Sequence, residues 1–193
     1  MKSVKIFLPA LLLIFGFQLF AQEHISPERK QAIDSLALEK VRDLSKYISL
    51  IGDKQTAFSE ANRVIDRAVE LFMDGSEVGV SSLYKEGINY YPVREYLERL
   101  MRLNYSKVDI EWYKIEYVSD LEQQPDGTFV GVITIFQKFS GYDKEGELVY
   151  QDVTKKDITV YVKRKETQIA GKIIGFWDVL LGDIRVKETK PGE

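Results

Sequence analysis

The stretch "GKIIGFWDVLLGDIRVKET", Gly171 to Thr189, has the period of an extended strand and decides how the rest of the chain is assembled. Alternation puts Phe176, Asp178 and Leu180 on one face and Trp177, Val179, Leu181 and Asp183 on the other. It reads as the closing strand of a curved sheet, with Gly175 and Gly182 as the points where it bends or bulges. Asp183, beside Gly182 and ahead of the polar end, reads as structural. Asp178 is a weak catalytic candidate: a carboxylate held among apolar side chains has a raised pKa and can move protons, provided the Phe176 face points inward. The opposing reading is a strand aspartate paired with a lysine or arginine of the neighbouring strand.

Working back from this strand, "KETQIAGK" connects it to "ELVYQDVTKKDITVYVKRKE", a long strand expected to kink around Lys155-Lys156. "DKEG" and "PDG" are turns, and between them "TFVGVITIFQKF" is apolar on both faces, as a central strand is. "KVDIEWYKIEYVSDLE" alternates through Val108, Ile110 and Trp112 and then changes phase, which predicts a bulge near Tyr113-Lys114. Upstream, Ile33, Leu36, Ala37, Val41, Leu44, Ile48 and Ile51 recur at helical spacing behind Ser26 as N-cap and Pro27 at the first position. A second helix runs through Phe58, Ala61, Ile65, Ala68, Val69 and Phe72 to Asp74-Gly75. "EVGVSSL" is a short strand, and Pro92 opens a helix striped by Val93, Tyr96, Leu97, Leu100 and Met101. The order predicts an α+β fold: a curved antiparallel sheet of about four to five strands packed on helices, with an extra N-terminal helix.

Residues 1–21, with Lys2 and Lys5 ahead of an apolar core ending in Leu19-Phe20-Ala21, have the pattern of a secretory signal peptide. Cleavage there removes two lysines and no acids, taking the net charge from −3 to −5. An acidic chain of this kind is poorly suited to nucleic acid, and no membrane span is expected after cleavage. The absence of cysteine excludes a disulfide framework, so the expectation is an exported, periplasmic or secreted bacterial protein held by packing alone.

The helix "VIDRAVELFMDG" followed by "EVGVSSL", the short helix "PVREYLERLMRL" and the meander ending in "FWDVLLGDIRVKE" together resemble the nuclear transport factor two-like superfamily, the cystatin-like cone that includes SnoaL-like and ketosteroid-isomerase-like proteins. The resemblance covers about Ala57 to Thr189 and implies a cone-like sheet curled around a pocket closed by helices. The domain expectation is a signal peptide at 1–21, a helical extension at 22–53, a cone-like domain at 54–189 and a tail at 190–193. The superfamily includes isomerases, dehydratases and proteins with no reaction, so the fold does not settle function.

Residue types narrow the chemistry. His24 is the sole histidine and lies near the start of the exported chain; with no cysteine there is no metal site and no cofactor motif. What remains is acid–base work by aspartate and tyrosine, the equipment of ketosteroid-isomerase-like relatives, although no spacing here lets their roles be carried over. The candidate ligand-contact residues are Tyr84, Tyr91, Tyr96, Trp112, Phe136, Phe176 and Asp178. In "NYYPVREY" at least two of Tyr90, Tyr91 and Tyr96 are expected to be buried. Lys155, Lys156, Lys163, Arg164 and Lys165 read as charges guarding strand edges.

The leading functional expectation is an exported, non-catalytic domain engaging a small hydrophobic ligand or an envelope protein through its pocket or sheet face. The first alternative is a small isomerase or dehydratase with Asp178 as base and Tyr84, Tyr91 or Tyr113 as proton donor. The second is a structural homodimer subunit of the cell envelope, joined through the apolar outer face of "FVGVITIF".

Overall fold

The computed structural model describes residues 26–117 and 119–192. The signal-peptide reading of 1–21 and His24 lie outside the described residues. Three helices and seven strands follow in the order α1 (Pro27–Gly52), α2 (Phe58–Val69), β1 (Glu77–Ser82), β2 (Lys85–Pro92), α3 (Val93–Met101), β3 (Lys107–Tyr117), β4 (Glu122–Gln123), β5 (Phe129–Tyr142), β6 (Leu148–Ile169) and β7 (Lys172–Pro191). The strands form one unclosed sheet in the order β2-β1-β7-β6-β5-β3, with β4 pairing β5. The fold is α+β, a curved sheet carrying helices. Among the described residues no helix is long and apolar enough to cross a membrane.

α1 forms as its periodicity requires. The Ser26 side chain accepts the Arg29 amide, Pro27 occupies the first turn, and Ile33, Ala37, Val41, Leu44, Ile48 and Ile51 are buried. These meet Ile65 of α2, Leu97 of α3, Ile133 and Ile135 of β5, Ile158 of β6 and Leu181 of β7 in one continuous core. Leu181 is fully buried. Leu181→Ala is expected to cost about 2–5 kcal/mol, the usual range for a truncation that leaves a cavity, read as a lowered midpoint in denaturant at unchanged slope.

The sheet is larger than four to five strands and is mixed. β2 pairs antiparallel with β1, whereas β1 runs parallel to β7 at Val78 and Ile184. The segment "KEGINYYP" shows no alternation because, as an edge strand, it is almost entirely exposed. Helix α2 also stops at Val69, short of Gly75. The chain instead turns along β7, where Met73 N–H donates to Leu181 C=O at 2.7 Å and Leu181 N–H to Leu71 C=O at 2.8 Å. Phe58, assigned to the apolar stripe of α2, is exposed.

Irregularities in the strands fall near the expected residues. β3 shifts register between Trp112 and Lys114. Between Ile184 and Leu181, opposite Ile158 and Val160, β7 has one more residue than β6, so Gly182-Asp183 forms a bulge. A Cβ on Gly182 would lie 2.4 Å from the Tyr161 ring, which is why the bulge carries glycine. The expected kink at Lys155-Lys156 is instead an extra residue in β7, between Val186 and Glu188. The "KETQIAGK" connection is itself mostly strand: the reversal is confined to Ala170 (φ 49°) and Gly171 (φ 79°), two successive left-handed residues of a tight hairpin turn.

Candidate functional site

Along β6 the even-numbered residues from Tyr150 to Val162 face the helices. Val162, Val160 and Ile158 are buried in the core; Lys156, Thr154 and Asp152 continue the same face and are also buried. The inward surface of this strand therefore changes from apolar to polar at Lys156. A cavity of about 290 Å³ opens there, walled by Tyr96 and Leu100 of α3, Gln137 and Phe139 of β5, and the end of β1. Its volume lies near the lower end of small-molecule pockets, and aromatic and aliphatic side chains form much of its wall.

Asp152 is 5% exposed and heavily hydrogen-bonded. Its Oδ2 accepts the Tyr150 hydroxyl at 2.5 Å and its Oδ1 accepts the Thr154 hydroxyl at 3.3 Å. The Leu83 N–H donates to the Tyr150 hydroxyl oxygen at 3.2 Å, so that oxygen is an acceptor there and its own proton points at Asp152. Thr154 spends its proton on Asp152, so Thr189 must donate to Thr154 at 3.3 Å, and Ser81 to Thr189 at 2.5 Å. A directed chain of hydroxyls thus holds the carboxylate. Burial raises the Asp152 pKa above the usual carboxylate value, against the Tyr150 and Thr154 hydrogen bonds and the charge of Lys156, which pull it down.

Lys156 is 4% exposed. Its Nζ donates to Gln137 Oε1 at 3.4 Å and lies 5.8 Å from the centre of the Tyr96 ring; among the described residues no ion pair within 4.0 Å reaches it. Burial lowers its pKa to about 8, with Asp152 opposing the shift. Burial likewise raises the hydroxyl pKa values of Tyr96, Tyr105 and Tyr150, with the Asp152 charge acting in the same direction on each.

The mouth is built from three tyrosines. Tyr84, 79% exposed at the β1–β2 turn, meets the Tyr150 ring edge-on at 5.5 Å. Tyr105 stacks edge-on against Phe139 at 5.7 Å, and its ring lies over Gly141 so closely that a Cβ there would be 2.6 Å from two ring carbons. Gly141→Ala is therefore expected to displace Tyr105, at a cost of about 1–3 kcal/mol and with a shifted Tyr105 ring resonance; an unmoved ring would contradict this packing.

The residues singled out from sequence are distributed unevenly about this cavity. Tyr84 and Tyr96 line it, and Trp112 reaches it indirectly by donating Nε1–H to Gln137 Oε1 at 3.2 Å. Tyr91 is half-buried beneath the Arg99 guanidinium, 4.2 Å from its ring centre, and Tyr90 is exposed, so of the "NYYPVREY" tyrosines only Tyr96 is buried. Phe136 lies on the other face of β5, beside the exposed Tyr113 and within cation–π range of Lys114 and Lys155. Phe176 is exposed and does not line the cavity. In β7 the inward face is that of Val179 and Leu181. Asp178 looks outward and meets Lys165 Nζ at 2.6 Å. Asp183 accepts the Glu77 amide at 2.9 Å and pairs with Arg185 at 2.7 Å, fixing the start of β1.

Sequence reasoning missed Tyr150, Asp152, Thr154 and Lys156. The signal is present: alternation carried back from Val162 leads to Lys156 on the core face, whereas the cluster taken as a whole reads as charges guarding strand edges. Lys155 and Lys156 in fact take opposite faces.

No protein-family model matches the chain, and no curated protein sequence matches it. Two crystal structures are similar in architecture. One is a candidate scytalone dehydratase from Novosphingobium aromaticivorans, 10% identical, with 86% of this chain and 92% of that chain covered and a TM-score of 0.44. The other is a type 2 hexachlorocyclohexane dehydrochlorinase, 13% identical, with 84% and 93% covered and a TM-score of 0.40. Neither is similar enough for a residue role to be carried across.

Proposed function

We propose that this chain is a small isomerase or dehydratase of the nuclear transport factor two-like type, acting by proton transfer on a small hydrophobic carbonyl or hydroxy compound, in an exported protein. The observation that carries the reading is Lys156: an amine buried in the wall of a largely apolar cavity, with no carboxylate at ion-pair distance among the described residues. An apolar residue in that place would serve the fold better, so its presence calls for a chemical role. Asp152, with its raised pKa and fixed hydrogen bonds, is the base. Lys156 attends the substrate oxygen. The two are four residues apart on one strand face, or about 13 Å between Cα atoms, which leaves space above Thr154 for a small substrate.

This replaces Asp178 with Asp152 as the acid–base candidate and keeps aspartate–tyrosine chemistry. The test is deuterium exchange at the α-carbon of cyclohexanone, together with dehydration of a simple β-hydroxyketone, followed by NMR. Acceleration over buffer of about a hundredfold or more is expected. Binding without exchange would return the cavity to a non-catalytic ligand pocket.

A further inference from the structure

We propose that Lys156 Nζ attacks the carbonyl carbon of the compound entering the cavity and forms a Schiff base with it. This rests on the reading that the cavity accepts a carbonyl compound, and adds to it a covalent route.

Three observations lead to this assignment. First, the amine is held by a neutral acceptor: Gln137 Oε1 lies 3.4 Å from Lys156 Nζ and accepts Trp112 Nε1–H at 3.2 Å. The indole fixes which end of the amide faces the amine, and a carboxamide oxygen stabilises an ammonium far less than a carboxylate would. Second, Lys156 lines a cavity with space for a small molecule, so a reactant can reach it. Third, the proton-handling pair Asp152–Tyr150 faces the same cavity without binding the amine directly. Desolvation without a counter-charge is how proteins keep a lysine neutral enough to act as a nucleophile, and the lowered pKa agrees with that geometry.

The steps balance without another reactant. The nitrogen lone pair forms the C–N bond, the carbonyl π pair moves to oxygen, and one amine proton follows it, giving a carbinolamine. The hydroxyl leaves as water with a proton that Asp152 has taken from the Lys156 ammonium before the attack, leaving a protonated imine and an ionised Asp152. That carboxylate can then remove the α-proton, and the electron pair moves toward the iminium nitrogen.

The test uses 2,4-pentanedione, which condenses with a neutral amine to a stable enaminone absorbing in the near ultraviolet. The expected result is a mass gain of one diketone less one water on the peptide bearing Lys156, with both signals lost in Lys156→Met. Modification spread over exposed lysines such as Lys165 and Lys172, with Lys156 unmodified, would overturn the proposal. Lys156→Arg keeps the charge and forms no imine, so cyclohexanone exchange retained in this variant would overturn it too. Exchange by the unaltered protein with no adduct removes the covalent route and leaves the proton-transfer reading standing. An adduct without exchange supports the covalent route and removes that reading, and the absence of both overturns both.

Discussion

Lys156→Met is expected to give a protein that is more stable and inactive. Below pH 8 the lysine is charged in both the folded and the unfolded chain, and the folded state carries the full cost of burying it. Between about 8 and 10.5 the folded chain releases its proton first, the unfolded chain binds more protons, and stability rises with pH. The shift corresponds to a total on the order of 3 kcal/mol. Unfolded tyrosines ionise from about pH 10 while buried Tyr96 and half-buried Tyr150 resist, which lowers stability, so the visible rise lies between about 8 and 10. Methionine at this position removes the rise and adds stability at pH 7, by about 1–4 kcal/mol as in other replacements of buried charge. Denaturant unfolding at several pH values reads both effects. A destabilised variant with the pH dependence intact would mean that Lys156 is held by interactions that stabilise the fold.

Asp152→Asn is expected to lower α-proton exchange by about 10²–10⁴ while leaving the fold intact. The carboxamide keeps one oxygen to accept from Tyr150, and its NH2 then faces Thr154, whose hydroxyl turns to accept it, so the hydroxyl chain toward Ser81 reverses direction but stays paired. It cannot take a proton. It also removes the negative charge that holds the Lys156 pKa up, so the lysine should titrate lower than in the unaltered protein. Loss of activity with an unchanged Lys156 titration would separate Asp152 electrically from the lysine and leave only its role as base. Full activity in the variant would remove Asp152 from the chemistry.

Such a stability–activity opposition is characteristic of functional sites, where local rules of folding are broken. Here the break occurs along a single strand face: Val162, Val160 and Ile158 follow the rule that inward residues are apolar, and Lys156 departs from it.

The same strand shows why the sequence was legible in some places and not in others. α1 could be read with its cap because helical periodicity and the Ser26-Pro27 signal agree. The phase change in β3 and the glycine bulge in β7 were visible because each interrupts a local pattern. The inward face of β7 was not, because Phe176 and Leu180 are as apolar as Val179 and Leu181, and only packing against the helices distinguishes them. The parallel contact between β1 and β7 joins segments far apart in the chain, and β2 has almost no buried face to produce a pattern. Lys156 was hidden by its neighbour: two adjacent lysines look like one charged patch until strand alternation assigns them to opposite sides.

The central claim is that the cavity holds a desolvated amine. NMR titration of the lysine side-chain carbon next to Nζ, assigned by loss of the signal in Lys156→Met, tests it without a substrate. The structure predicts a midpoint of about 8 for Lys156. A midpoint near 10.4, the ordinary value for an exposed lysine, would contradict it.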